Sequence, residues 1–292
     1  MASLKDVKVK IAAVKKTKQI TKAMNMVASA KLRGAQQRIE RFRPYADKFQ
    51  EILGDLAGGA DSSVHPLLET RAEIKTSLIV LVTSDRGLCG SFNAGLINMA
   101  LKLAKEKTAQ GRNVKFVCVG RKGRDTVRKS AYEMVSAYAD KMGSFDFTLA
   151  AKLGVEVIGG YIQGQFDEVD LIFGKFLSIG RQDSTRITVL PMVATGGETA
   201  AAKVGKLEHV YEPSVEGLLA QLLPRFVNVQ LYRGLLDTSA SEHAARMRAM
   251  DNATKNCDEM VGTLTLVYNK ARQASITKEL MDIVGGTEAL KG

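Results

Sequence analysis

The chain has 292 residues, with 42 Lys or Arg against 31 Asp or Glu and a formal net charge of +11. Its 45% hydrophobic and 25% charged content is ordinary for a folded soluble protein. No apolar run is long enough to span a bilayer, so direct membrane insertion is not expected, and the three cysteines and three histidines share no metal-ligand spacing.

The N-terminal stretch MASLKDVKVKIAAVKK is basic and mimics a transit peptide, but it lacks the hydrophobic core and cleavage site of a secretory signal. It also runs in register with a longer pattern. Apolar residues recur at alternating spacings of three and four from Leu4 through Val7, Ile11 and Val14, and again from Ala28 through Leu32, Ile39, Phe42, Phe49 and Leu53 to Leu56. A seam sustained over that length predicts a coiled-coil helix across 1–57. Pro44 is expected to kink or tighten it, because it removes one backbone donor, and Gly58-Gly59 to stop it. The seam fails at three consecutive positions, Lys18, Thr21 and Asn25, where Ile20, Met24 and Val27 suggest that the apolar stripe moves to another face. Residues 1–43 hold twelve Lys or Arg against Asp6 and Glu40, a net of +10, so nearly all the excess charge sits on this helix. A cationic helix suits an acidic partner. Residues Gly58–Glu73 read as an exposed loop without legible chemistry.

The middle of the chain, 74–193, changes period and predicts a globular α/β domain. Ser77–Thr83 reads as a buried strand, followed by the loop SDRGLCGSFN and a helix over Ala94–Lys107. Val114–Val119 is a second strand, Arg121–Ser130 and Phe147–Gly164 are helical, and Val169–Leu177 and Arg186–Met192 are successive strands. This order predicts a mostly parallel, Rossmann-like sheet with an antiparallel edge. The loop at 84–93 lies where phosphate-binding loops occur, but it has neither a GxGxxG fingerprint nor a P-loop lysine, and the second strand ends in Gly120-Arg121 rather than an acidic ribose ligand. Tight-turn geometry explains its glycines better than a nucleotide does, and Ser84, Asp85 and Arg86 are candidates for a docking loop. Cys89 has no histidine nearby in sequence, and no carboxylate pair stands out for acid–base work. Neither a catalytic constellation nor a cofactor is expected.

Ala194–Lys206 reads as a flexible connector. A second long helix is predicted over 213–286, opened by Glu212-Pro213, broken or bent by Pro224 and stopped by Gly285-Gly286. Its seam runs through Leu219, Phe226, Leu236, Ala240, Met247, Met250, Val261, Leu264 and Tyr268, and shifts after Ala271 to Ile276, Leu280 and Ile283. Two such segments at opposite ends of one chain predict an antiparallel coiled coil with the α/β domain inserted between them. A helix of that length would extend on the order of 110 Å at about 1.5 Å per residue.

Three segments, KTKQITKAMNMVASAKLR (16–33), SDRGLCGSFN (84–93) and LVYNKARQASITKELMDIVGG (266–286), closely resemble the gamma subunit of bacterial F-type ATP synthases. The resemblance spans the start, middle and end of the chain. It implies a central rotor shaft that couples proton-driven rotation of a membrane c-subunit ring to conformational change in catalytic beta subunits, and is itself non-catalytic. The implied partners are three alpha and three beta subunits, an epsilon subunit and the c-ring, with room for an inhibitor subunit. The implied location is peripheral, on the cytoplasmic face of the bacterial inner membrane. By the same resemblance, Met24, Arg246, Gln273, Thr277 and Glu279 are rotor–stator contacts, and Ile276, Leu280 and Ile283 form an apolar bearing. No inserted cysteine pair is present in 194–206, so a thiol switch is not expected. A competing reading is a Rossmann-like enzyme whose basic helices grip nucleic acid. It would call for phosphate-loop glycines and aromatics interleaved with the basic residues. The chain has no tryptophan, and only Phe42 and Tyr45 lie near the basic stretch.

Overall fold

The computed structural model describes residues 4–57, 65–69, 71, 73–192 and 215–289. The expected stop at Gly58-Gly59, most of the Gly58–Glu73 loop, the connector 194–206 and the opening at Glu212-Pro213 lie outside these residues. Ten elements follow in order: α1 (Leu4–Ala57), β1 (Thr76–Val82), α2 (Phe92–Ala109), β2 (Asn113–Val119), α3 (Arg121–Val127), β3 (Glu133–Tyr138), α4 (Phe147–Ile162), β4 (Glu168–Phe176), β5 (Gln182–Leu190) and α5 (Val215–Ala289). The chain divides into two compact units, one of residues 1–28 and 246–292, the other of residues 29–245.

In the larger unit the five strands form one sheet in the order β3-β2-β1-β4-β5. β1 pairs in parallel with β2 and β4, and β2 in parallel with β3, while β5 returns antiparallel to β4. The predicted mostly parallel sheet with an antiparallel edge is therefore the observed one. Six of the seven β1 residues are buried, as a central strand covered on both faces requires. Ile79, Leu81, Phe116 and Cys118 pack under Leu96, Ala100 and Leu103 of α2. β3 was missed in the sequence because it is an edge strand. Its residues alternate between exposed and half-buried, so EMVSAY has no apolar run.

The same unit holds the later part of α1 and the earlier part of α5. Phe42 meets Tyr232 edge-on at 4.9 Å and Phe49 stacks on Phe226 at 6.2 Å, so rising numbers on one helix meet falling numbers on the other, as in an antiparallel pair. Tyr232 also takes edge contacts from Phe145 and Phe147 near the start of α4. Neither proline ends its helix. Pro44 is exposed, so the carbonyl it leaves without a donor can be solvated, and Pro224 lies between buried Leu223 and Val227 whose packing holds the helix through it. Gly285 and Gly286 do not stop α5, which continues to Ala289.

The smaller unit pairs the start of α1 with the end of α5, again antiparallel: Lys18 meets Asp258, Thr21 meets Thr254 and Asn25 meets Met247. By that register Leu4, the first described residue of α1, falls level with Ala271. No described helix is long and apolar enough to cross a membrane.

Candidate coupling surfaces

The polar interruption of the seam is inside the helix pair. Lys18, Thr21 and Asn25 keep the buried or half-buried positions that the three–four spacing assigns them, with Thr21 only 8% exposed. Thr21 and Thr254 share a hydroxyl hydrogen bond of 2.8 Å, Asn25 Nδ2 donates to the Met247 carbonyl at 2.8 Å, and Lys18 pairs with Asp258. The seam runs on through these polar residues, while the apolar side chains beside them lie on another face, as the sequence suggests. Each polar residue is met by a polar group on the facing helix, which removes the cost of burying it. Ile20 and Val27 stay outside the seam, 60% and 57% exposed, and Met24 is half-buried beside them.

At the far end of α5 the apolar stripe leaves the seam after Ala271, as the spacing suggests. Ile276, Leu280 and Ile283 are all exposed, as are Met281 and Val284, on the turns of α5 beyond the level of Leu4, the first described residue of α1. Spacings of four and three place Ile276, Leu280 and Ile283 on one stripe. Gln273, Thr277 and Glu279 are exposed on the same turns, and Glu279 accepts a 3.2 Å hydrogen bond from Ser275 Oγ. Arg246, by contrast, is buried, 8% exposed. A run of exposed branched apolar side chains on one helix end marks an interaction surface.

The loop after β1 divides its roles. Ser84 is fully buried: its backbone N–H donates to Asn93 Oδ1 at 3.0 Å and its hydroxyl donates to the Arg86 carbonyl at 2.6 Å. The Asp85 carboxylate accepts the backbone N–H groups of Arg121, Asp140 and Met142 at 2.8–2.9 Å. It thus ties the segments that follow β2 and β3 to the loop after β1. Of the three predicted docking residues only Arg86 has an exposed side chain. It lies near Leu88, which is exposed and has a φ of 62°. Cys89 is buried and takes a hydrogen bond from Asn93 Nδ2 at 3.1 Å, and burial pushes the Cys118 thiol up to about 12, so it stays protonated. Among the described residues no three His, Cys, Asp or Glu side chains gather as a metal site needs.

Two charged groups in the larger unit were not legible in the sequence. Lys107 is buried on α2 against Glu168 and Asp170 of β4, with Arg112 and Arg186 closing the cluster. Asp237 of α5 is buried at a small cavity of about 50 Å³ lined by Arg43, Asp47, Lys175 and Arg233. Burial pushes its carboxyl up to about 6, although Arg233, Arg43, Lys175 and the Phe176 backbone N–H all oppose the shift. A sequence signal existed for Asp237 in the run DTSASEH, polar and short-chained within a helix, but its cause is a neighbouring strand that the sequence does not show.

The family described as ATP synthase matches residues 3–290. A protein named ATP synthase gamma chain from Nitratidesulfovibrio vulgaris strain Hildenborough is 70% identical over the whole of both chains, and one of the same name from Lawsonia intracellularis is 57% identical over the whole of both. Among solved structures, a chain of the Tetrahymena thermophila mitochondrial ATP synthase central stalk and c-ring aligns with a TM-score of 0.60 at 27% identity, covering 80% of this chain and 99% of that one. A chain of the Euglena gracilis mitochondrial ATP synthase aligns with a TM-score of 0.67, covering 98% of this chain and 94% of the other; at 20% identity that likeness concerns the fold.

Proposed function

The chain belongs to the gamma-chain family of ATP synthase, and from that premise we propose that it is the central rotor of a bacterial enzyme. Its paired helices turn inside a ring of three alpha and three beta subunits, and its α/β domain sits with an epsilon subunit on the c-ring. Proton flow turns the ring, and the asymmetric shaft then drives each beta subunit through its states. ATP chemistry takes place on the beta subunits, and this chain contributes mechanics only. An inhibitor subunit can act on the assembly without changing that role. The chain is then peripheral, on the cytoplasmic face of the inner membrane.

The observation that carries this reading is the end of α5. Five large apolar residues, Ile276, Leu280, Met281, Ile283 and Val284, stay exposed among the described residues. In water such a stripe is a liability, whereas inside an apolar sleeve it is a bearing, because dispersion contacts are non-directional and resist rotation little. Gln273, Thr277 and Glu279 add hydrogen-bonding groups on the same turns, and the exposed Ile20 and Val27 with half-buried Met24 offer a second apolar contact to beta. Arg86, exposed on a loop that Ser84 and Asp85 hold in shape, forms a docking element, and the buried Arg246 steadies α5 from inside the chain.

Met24→Lys tests the reading. It places an uncompensated charge at a contact that is apolar in the wild type. Protons pumped per ATP hydrolysed are expected to fall severalfold in reconstituted complexes, with nucleotide binding unchanged. An unaltered pumping ratio would remove Met24 from the coupling contact.

A further inference from the structure

Sheet pairing between β1 and β4 ends at Leu81–Ile172, but β4 continues to Phe176. Its next backbone groups on that edge, at Gly174 and Phe176, therefore lack a strand partner, since the groups facing one edge alternate along a strand. α5 supplies side chains instead. The Gly174 N–H donates to Thr238 Oγ1 at 3.1 Å, and the Gly174 carbonyl accepts from Ser241 Oγ at 2.9 Å. The Phe176 N–H donates to the Asp237 carboxylate. Three consecutive edge groups are satisfied by one helix, as a neighbouring strand would satisfy them.

The approach needs small residues on both sides. A Cβ on Gly174 would lie 2.5 Å from the Phe92 ring and 3.3 Å from Ser241 Cβ, and a Cβ on Gly234 would lie 2.8 Å from Leu171 Cδ2. Gly234, Thr238 and Ser241, spaced by four and three, form one face of α5, distinct from the coiled-coil seam at Leu236, Ala240 and His243. Apolar contacts such as those of Leu235 and Leu236 tolerate sliding along the helix axis; hydrogen bonds to fixed backbone groups do not.

The geometry points to a clamp: Thr238 and Ser241, with Asp237, lock the axial and rotational register of α5 onto the open edge of β4 at Gly174, and so transmit torque from the α/β domain to the shaft helix. This deepens the rotor reading and rests on it for its mechanical half. Thr238 and Ser241 are positioning residues, since they act through β4.

Two measurements separate the clamp from the rotor reading. In the purified full chain, Thr238→Val keeps the shape and removes the acceptor, so hydrogen exchange at the Gly174 amide is expected to speed up at least tenfold, while Thr238→Ser keeps wild-type protection. Unchanged exchange in Thr238→Val overturns the clamp. In the reconstituted complex, the double variant Thr238→Val, Ser241→Ala is expected to lower protons pumped per ATP hydrolysed at least twofold while ATP hydrolysis per assembled complex changes less than twofold. Thr238→Ser, Ser241→Thr is expected to restore the ratio. Faster exchange with an unchanged pumping ratio overturns the torque role. A complex assembled without this chain that pumps as well as the wild type would sink the rotor reading instead, and the exchange result would stand.

Discussion

The helices α1 and α5 serve both units of the molecule under different rules. In the smaller unit the described residues all belong to these two helices, and burial follows the three–four spacing: Thr254, Cys257, Val261, Leu264, Tyr268 and Ala271 are half-buried and most residues between them are exposed. In the larger unit α5 lies under a sheet as well, and every residue from Gly234 to Ala245 is buried. The first region tolerates polar seam residues because the facing helix offers Thr254, Asp258 and a carbonyl to meet them. The second buries Asp237, Thr238 and Ser241 because a strand edge offers backbone groups. A polar residue on a buried helical face thus has a different partner in each region, a side chain or carbonyl of a helix in one and a strand ladder in the other.

The largest expected effect lies in the larger unit. Lys107→Met leaves Glu168 and Asp170 facing each other without their buried cation, and chemical denaturation of the purified chain should show a loss of about 3–5 kcal/mol. A loss below about 1 kcal/mol would mean that Arg112 and Arg186 alone balance the two carboxylates.

Asp237 sharpens the comparison through pH. Its folded carboxyl titrates near 6 against an ordinary 3.8, so the folded chain holds the proton more tightly than the unfolded one does. The contribution to stability is therefore fully present below about pH 4 and lost as pH rises through about 6. Asp237→Asn keeps an acceptor for Phe176 and removes this titration. Its stability relative to wild type should rise between pH 4 and pH 7 by about 2–3 kcal/mol, followed by urea denaturation at each pH. A parallel pH dependence of the two proteins would show that the charge is compensated.

In the smaller unit the same chemistry is worth less. Thr21→Val with Thr254→Val replaces both partners by apolar groups of similar shape, and thermal unfolding should shift by less than about 1 kcal/mol, in either direction. The single Thr21→Val should cost no more than about 1 kcal/mol, because Thr254 Oγ1 also donates to the Met250 carbonyl at 2.8 Å. The smallest effect belongs to the half-exposed Lys18–Asp258 pair. A double-mutant cycle should return about 0.2–1 kcal/mol and shrink further in high salt.

Much of the coupling surface was legible from residue order. Exposed Ile276, Leu280 and Ile283 were marked by a stripe that leaves the seam, and exposed Ile20 and Val27 by apolar residues beside polar seam positions. Ser84 and Asp85 were less legible, since a polar loop after a strand looks alike whether its side chains face solvent or hold the loop together. The β4 clamp was hidden because Gly174 is one glycine in a strand and Thr238 one hydroxyl in a helix, and 64 residues separate them.

By itself the order of residues determined the periodicity of the two long helices, their antiparallel complementarity, and the strand–helix sequence that builds a parallel sheet. Those are local signals, set by backbone geometry and by which side chains repeat at its period. Only the tertiary structure decided that Lys18, Thr21 and Asn25 remain in the seam, that α5 runs through Pro224 and Gly285, and that β3 joins the sheet edge. It also decided that Thr238 and Ser241 complete a strand. In each polar case the outcome turns on the group lying opposite, since a buried donor or acceptor takes whatever partner the fold brings within hydrogen-bonding distance.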